Sequence, residues 1–170
     1  DGDLPARSGI GSSSAFTVGL LSALYCLRGE SISSADLARN AVFVEQELLK
    51  EPVGVQDQII SAYGGMQVIT LTKAAGVEVV PLNISDSYKN YLEESILFGF
   101  MGVERLSTEI TAKLIESIKS GMLDDYLGEI TSITSVAIEG LQRECDVKEL
   151  GRMLVQNWDL KKLISPKFAT

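Results

Sequence analysis

The first strong pattern along the chain is helical. From Ser12 to Leu27, Phe16, Leu20, Leu24 and Leu27 recur at steps of three and four, with Val18, Leu21 and Ala23 widening the stripe. The spacing predicts a buried helix closed by Gly29. Ser33-Ser34-Ala35-Asp36 then offers a cap with an acid in the first turn, ahead of Leu37, Ala38, Ala41, Val42, Val44, Leu48 and Leu49. A second helix is predicted over about 34–50, stopping before Pro52. Between Val53 and Gly65, glycines bracket a short helix-compatible piece that Gly64-Gly65 breaks. Residues 66–71 and 77–82 change to a β-branched pattern around Ala74-Ala75-Gly76, which predicts a hairpin.

The texture changes again beyond the hairpin. A polar segment around 86–94 leads into Ile96-Leu97-Phe98-Gly99-Phe100-Met101, which by composition reads as a short buried strand. Residues 104–163 predict three or four amphipathic helices. Ile110, Leu114, Ile115 and Ile118 mark one, Ile130, Ile133, Ala137, Ile138 and Leu141 another, and Leu150, Met153 and Leu154 a third. A soft boundary near 83–95 divides the chain into regions 1–85 and 86–170, and no internal repeat is evident.

Composition narrows the chemistry. The chain has 170 residues, 45% hydrophobic and 22% charged, enough to build a globular core and unlike a disordered segment. Fifteen Lys and Arg against 23 Asp and Glu give a net charge of −8 with no basic run, which argues against a nucleic-acid partner. Cys26 and Cys145 fall in no paired-cysteine motif and fit free thiols in a reducing compartment. No stretch reaches the ~20 apolar residues of a membrane span, and no signal peptide is present, so a cytoplasmic location is expected. The absence of histidine removes Ser-His-Asp and Cys-His catalysis and most catalytic zinc sites. Carboxylates, hydroxyls, lysines, arginines and a bound metal are what remain.

Against that background, Pro5-Ala6-Arg7-Ser8-Gly9-Ile10-Gly11-Ser12-Ser13-Ser14 stands out as a glycine and serine loop running into the first helix. Glycines allow close backbone approach, hydroxyls can meet phosphate or a metal ion, and the helix start offers unpaired N–H groups. The loop lacks the lysine of a Walker A motif, the third glycine of a dinucleotide fingerprint and the Gly-x-Ser-x-Gly of a nucleophile elbow. A flexible linker is the bland alternative, and the long apolar helix immediately after it argues against that. Glu45 lies beside Ala41, Leu48 and Leu49, where it is either a surface residue or a functional carboxylate. Asp57 stands between two glutamines just past Gly54, poorly explained as part of a solvated charge run. Phosphoryl transfer needs donors around the phosphates, Mg²⁺ held by a hydroxyl and a carboxylate, and a carboxylate near the attacking hydroxyl. The loop, Ser13, Glu45 and Asp57 can fill those roles in that order.

At these residues the chain resembles the GHMP kinases, the superfamily of galactokinase, homoserine kinase, mevalonate kinase and phosphomevalonate kinase. The loop is similar to the family's Pro-x-x-x-Gly-Leu-Gly-Ser-Ser-Ala signature, with Ile10 for Leu and Ser14 for Ala. The resemblance implies that Gly9, Gly11, Ser12, Ser13 and Ser14 wrap the phosphates of ATP. It also implies Ser13, with Ser12 a near alternative, and Glu45 as Mg²⁺ ligands, and Asp57 in Gly54-Val55-Gln56-Asp57-Gln58 as the catalytic aspartate. Gln56, Tyr63 and Gly64 are expected on the substrate side. Asp3-Leu4-Pro5, Ala62-Tyr63-Gly64-Gly65 and Trp158-Asp159-Leu160-Lys161-Lys162-Leu163 resemble the sugar-1-kinases acting on heptose phosphates, with fucokinases as the runner-up.

The implied fold is an α+β GHMP kinase-like two-domain fold, here an incomplete, helix-rich fragment with a few antiparallel strands. The chain starts at Asp1 and shows neither the family's opening segment nor its later glycine-rich motif, so a central fragment is expected, with doubtful activity by itself. The expected partner is a small-molecule sugar phosphate, without nucleic acid or membrane and with homo-oligomerisation left open. A non-catalytic nucleotide or sugar-phosphate binding module is the alternative. Lys161 and Lys162 read as a solvated pair or as an attraction for a substrate phosphate, and Arg7 has a similar split.

Overall fold

The computed structural model describes residues 10–72, 74, 76–99 and 116–164. They fall into two compact units, one of residues 10–72, 74, 76–81 and 99, and one of residues 82–98 with 116–164. The first unit runs α1 (Ser12–Leu27), α2 (Ser34–Phe43), a π-helical turn (Val44–Leu48) and α3 (Gln56–Tyr63). A hairpin of β1 (Gln67–Thr72) and β2 (Gly76–Pro81) follows. The strands pair antiparallel from Gln67 opposite Pro81 to Thr72 opposite Gly76. Helices with one small antiparallel sheet make this the α+β arrangement expected.

Local chemistry explains the helix ends. Gly11 precedes α1 at φ 72, a left-handed backbone that glycine adopts without a Cβ penalty. Gly29, also at φ 72, closes the helix through its N–H bond to the Cys26 carbonyl. At α2, Ser33 Oγ accepts the Asp36 N–H at 3.1 Å and donates to the Asp36 carboxylate at 2.6 Å, realising the predicted cap. The predicted second helix does not continue in α geometry to residue 50. After Phe43 the chain widens into the π turn, whose mark is the Leu49 N–H bond to the Val44 carbonyl five residues back.

The buried face of α1 also differs from the expectation. Phe16, Leu20, Leu24 and Leu27 are exposed, Leu27 at 84%, whereas Ser14 and Val18 are buried. Because α1 is apolar around much of its circumference, periodicity could not select a face. Packing does so: Val18, Leu37 and Ala41 form the core, with Leu21, Ile32 and Ala62 packed against them. Asn40 Nδ2 donates to the Tyr25 hydroxyl at 3.0 Å and adds a polar tie between α1 and α2.

In the second unit, α4 (Asp86–Ser95), α5 (Asp124–Gln142) and α6 (Val147–Ile164) are described. The sequence showed α4 only as a polar segment. Ser85 caps it by accepting the Tyr88 N–H at 3.1 Å, and Tyr88 and Leu92, four apart, are its two buried residues. Residues 96–99 are not the predicted strand. Leu97 is 96% exposed, and among the described residues the two strands β1 and β2 pair only with each other. Residues 100 and 101, and Ile110, Leu114 and Ile115 of the first predicted helix, lie outside the described residues. Gly140 is buried where a Cβ would meet Cys145 Sγ at 3.1 Å, so a larger residue there would crowd the turn between α5 and α6. Among the described residues, no helix is long and apolar enough to cross a membrane.

Tyr88 fastens α4 to this turn, its hydroxyl donating to the buried Cys145 carbonyl at 2.7 Å. Burial, then the hydrogen bond with the Cys145 side chain, pushes the phenol up to about 12. Tyr88→Phe leaves the carbonyl unpaired and is expected to lower stability by about 1–3 kcal/mol, read as a lower urea midpoint. Since the folded value lies above the unfolded value of about 10, the phenol's contribution is full below pH 10 and is lost as pH rises toward 12. The stability gap between wild type and Tyr88→Phe should therefore narrow across that window.

Candidate functional site

Three elements of the first unit converge on one carboxylate. Glu45, on the π turn, is 3% exposed. From the first turn of α1, Ser14 Oγ donates to Glu45 Oε2 at 2.9 Å. From the first turn of α3, Gln58 Nε2 donates to the same oxygen. The other oxygen, Glu45 Oε1, is buried and has no hydrogen-bond partner among the described residues, and the same holds for Gln58 Oε1. Among the described residues no Lys or Arg forms an ion pair with Glu45.

A buried carboxylate held only by neutral donors is costly, and a bare anionic oxygen is the natural seat of a hard cation. On this ground Glu45 fits a divalent ion. No group of three or more His, Cys, Asp or Glu side chains placed to hold a metal occurs among the described residues. Hydroxyl and ligand oxygens would therefore have to complete the coordination shell, as is usual for Mg²⁺ bound with a nucleotide.

The exposed carboxylate of Asp57 stands on the loop side, against Gly11. A Cβ added to Gly11 would lie 3.0 Å from Asp57 Cγ and 3.1 Å from its Oδ2. Gly11 is thus needed twice, for its backbone and for the room it leaves Asp57. The chain reaches Asp57 through a short return from the π turn, held by the Glu51 N–H on the Glu45 carbonyl at 2.9 Å and by Gln46 Nε2 on the Val53 carbonyl at 2.8 Å.

The structure therefore brings Gly11 to Asp57 and Ser14 to Glu45. Ser13, read as the hydroxyl nearest the metal, is exposed, and its carbonyl accepts the Thr17 hydroxyl at 3.1 Å; Ser12 is half-buried. Gly9 lies outside the described residues. Gln56 is exposed at the start of α3, and Gly64 ends that helix at φ 68. Tyr63 lines a separate cavity of about 210 Å³ with Ala38, Val42, Ile59 and Val79. In the second unit Lys162 pairs with Asp159 at 2.7 Å, Lys161 is exposed, and Trp158 is 43% exposed. Gln58 was missed by sequence reasoning, although it lies inside the Gly54–Gln58 motif. Ser14 carried a signal in being the departure from the family's alanine.

A helix start bonded to a buried carboxylate, with Gly11 and the hydroxyls of Ser12 and Ser13 beside it, offers groups suited to phosphate. Residues 1–65 match the family described as GHMP kinases N terminal domain. The chain is 32% identical over 168 residues to D-glycero-alpha-D-manno-heptose 7-phosphate kinase of Campylobacter jejuni, covering 96% of this chain and 48% of that protein. It is 26% identical over 168 residues to the bifunctional fucokinase/GDP-fucose pyrophosphorylase of Arabidopsis thaliana, covering 96% of this chain and 16% of that protein. The chain thus spans about half the length of the first relative and less of the second. No solved structure matches it.

Two glycines at the same backbone angle test the contact with Asp57. Gly29 has φ 72 and nothing near its absent Cβ, so Gly29→Ala is expected to cost only the left-handed strain, about 1–2 kcal/mol. Gly11→Ala adds displacement of Asp57 and should lower the thermal midpoint further. Equal losses for the two variants would show that the contact carries no weight.

Proposed function

We propose that this chain is the phosphate-binding part of an ATP-dependent sugar kinase. The reaction is transfer of the γ-phosphoryl of ATP to the anomeric hydroxyl of D-glycero-D-manno-heptose 7-phosphate, giving the 1,7-bisphosphate. The observation that carries this reading is Glu45, buried with one bare oxygen and bonded to the first turn of the loop's helix. The heptose 7-phosphate assignment draws on the 32% relative, whose printed name gives that substrate.

Each residue then has a task. N–H groups and hydroxyls of Gly9, Gly11, Ser12, Ser13 and Ser14 hold the ATP phosphates at the start of α1. Glu45, with a hydroxyl from Ser13 or its neighbours, would hold Mg²⁺, which when bound neutralises phosphate charge. Asp57 orients the acceptor hydroxyl and takes up its proton as the oxygen bonds to the γ-phosphorus and the bond to the ADP oxygen breaks. Transfer is direct and in line, without a phosphoenzyme, so catalysis rests on positioning and charge. Gln56, Tyr63 and Gly64 serve the sugar side. Region 1–85 belongs on this reading to the N-terminal kinase domain and 86–170 to the start of the C-terminal one. The free thiols Cys26 and Cys145 suit a reducing, cytoplasmic setting.

Fucose is the second candidate acceptor, because the 26% relative includes a fucokinase. Assayed in its complete reading frame, the protein is expected to show a higher kcat/KM for the heptose 7-phosphate than for L-fucose. The reverse order would move the assignment to the fucokinases. No transfer to any sugar, with MgATP still bound, would make the chain a binding module. Asp57→Asn is expected to lower kcat by at least about 10²-fold while leaving MgATP affinity near wild type, and near-normal turnover would remove Asp57 from its role.

A further inference from the structure

We propose that Gln58 is a positioning residue for the cation-binding carboxylate, an inference that rests on the cation role given to Glu45 above. Gln58 is 1% exposed, and among the described residues one end of its amide is used: Nε2 donates to Glu45 Oε2, while Oε1 meets no partner there. A leucine or methionine would fill the space without burying an unpaired carbonyl. The amide therefore stands there for its N–H.

That N–H settles the orientation of Glu45. The terminal torsion of a glutamate is broad and nearly two-fold, so a carboxylate held by Ser14 Oγ alone could turn and exchange its oxygens. A second donor, arriving from α3 while Ser14 arrives from α1, commits Oε2 to the protein. Oε1 is then the single oxygen left for a cation, which makes Glu45 a one-oxygen ligand. Gln58 also follows Asp57 directly in the first turn of α3, so one short helix positions both carboxylates, the buried one by a hydrogen bond and the exposed one by the backbone.

Mn²⁺ is the probe, titrated into the full chain with ADP present and followed by electron paramagnetic resonance of the free ion. Gln58→Met keeps the length and removes the donor. It is expected to weaken Mn²⁺ binding about tenfold, the loss typical of a residue that orients a metal ligand, with metal-free ADP affinity unchanged. A residue that only fills space would lower the melting temperature without moving the Mn²⁺ affinity of the folded protein. Wild-type affinity in Gln58→Met, together with its loss in Glu45→Gln, overturns the role of Gln58 and leaves that of Glu45. If wild type binds no Mn²⁺, or Glu45→Gln binds it as tightly as wild type, the cation role falls and this inference with it. Should Gln58→Met fail to fold, Gln58→Asn, whose amide stops one methylene short, is expected to show a similar loss, and unchanged affinity there overturns the proposal.

Discussion

The first unit depends on how it keeps a negative charge inside. Glu45 follows Leu37 and Ala41 at steps of four, on the stripe where an apolar residue would normally stand, and Ala41 is fully buried. Removing a carboxylate from water costs several kcal/mol unless hydrogen bonds or a counterion offset it. Here two neutral donors supply part of the offset, and each comes from a different helix. Ser14 and Val18 must therefore face inward together, which turns Phe16, Leu20 and Leu24 outward. The position of α1 is set as much by this polar contact as by apolar burial.

Local signals made much of the fold legible. Caps and breakers such as Ser33, Gly29 and Gly64 act within a few residues of their own position, so α1, α3 and the hairpin could be located from the chain itself. Features decided by distant partners were not. The apolar surface of α1 hides which face is buried, α4 has only Tyr88 and Leu92 to show for its packing, and residues 96–99 are apolar without becoming a strand. The candidate site divides the same way. Elimination of histidine chemistry drew attention to Glu45 and Asp57, and a loop rich in glycine and serine drew it to Gly11. The partners of Glu45, Ser14 and Gln58, depend on how three helical turns meet, which no spacing rule reveals.

On the proposed reading, the two carboxylates illustrate how environment assigns different tasks to like groups. Glu45 is enclosed, hydrogen-bonded on one oxygen and suited to a stationary ligand role. Asp57 is exposed, steered by the surface of a glycine and able to meet a group arriving from solvent. They sit on neighbouring segments of one chain, twelve positions apart by their numbers, yet the return between them gives each a different side of the same helix start.

The π turn gives that return a fixed measure. Its outgoing strand is tied down by the main-chain carbonyl of residue 45 and by the side chain of Gln46, so the side chain of residue 45 takes no part in closing it. Chemistry at that position and geometry of the return are consequently separable: a change of side chain can alter charge without releasing the loop. A change of length cannot be absorbed in the same way. Deleting one residue from Val44–Leu48 would rewind the turn to α geometry, with loss of the Leu49 bond to Val44 and of the wide turn from which the return sets out. Gain or loss of single residues should therefore be rare in this segment across natural variants, even where its side chains drift.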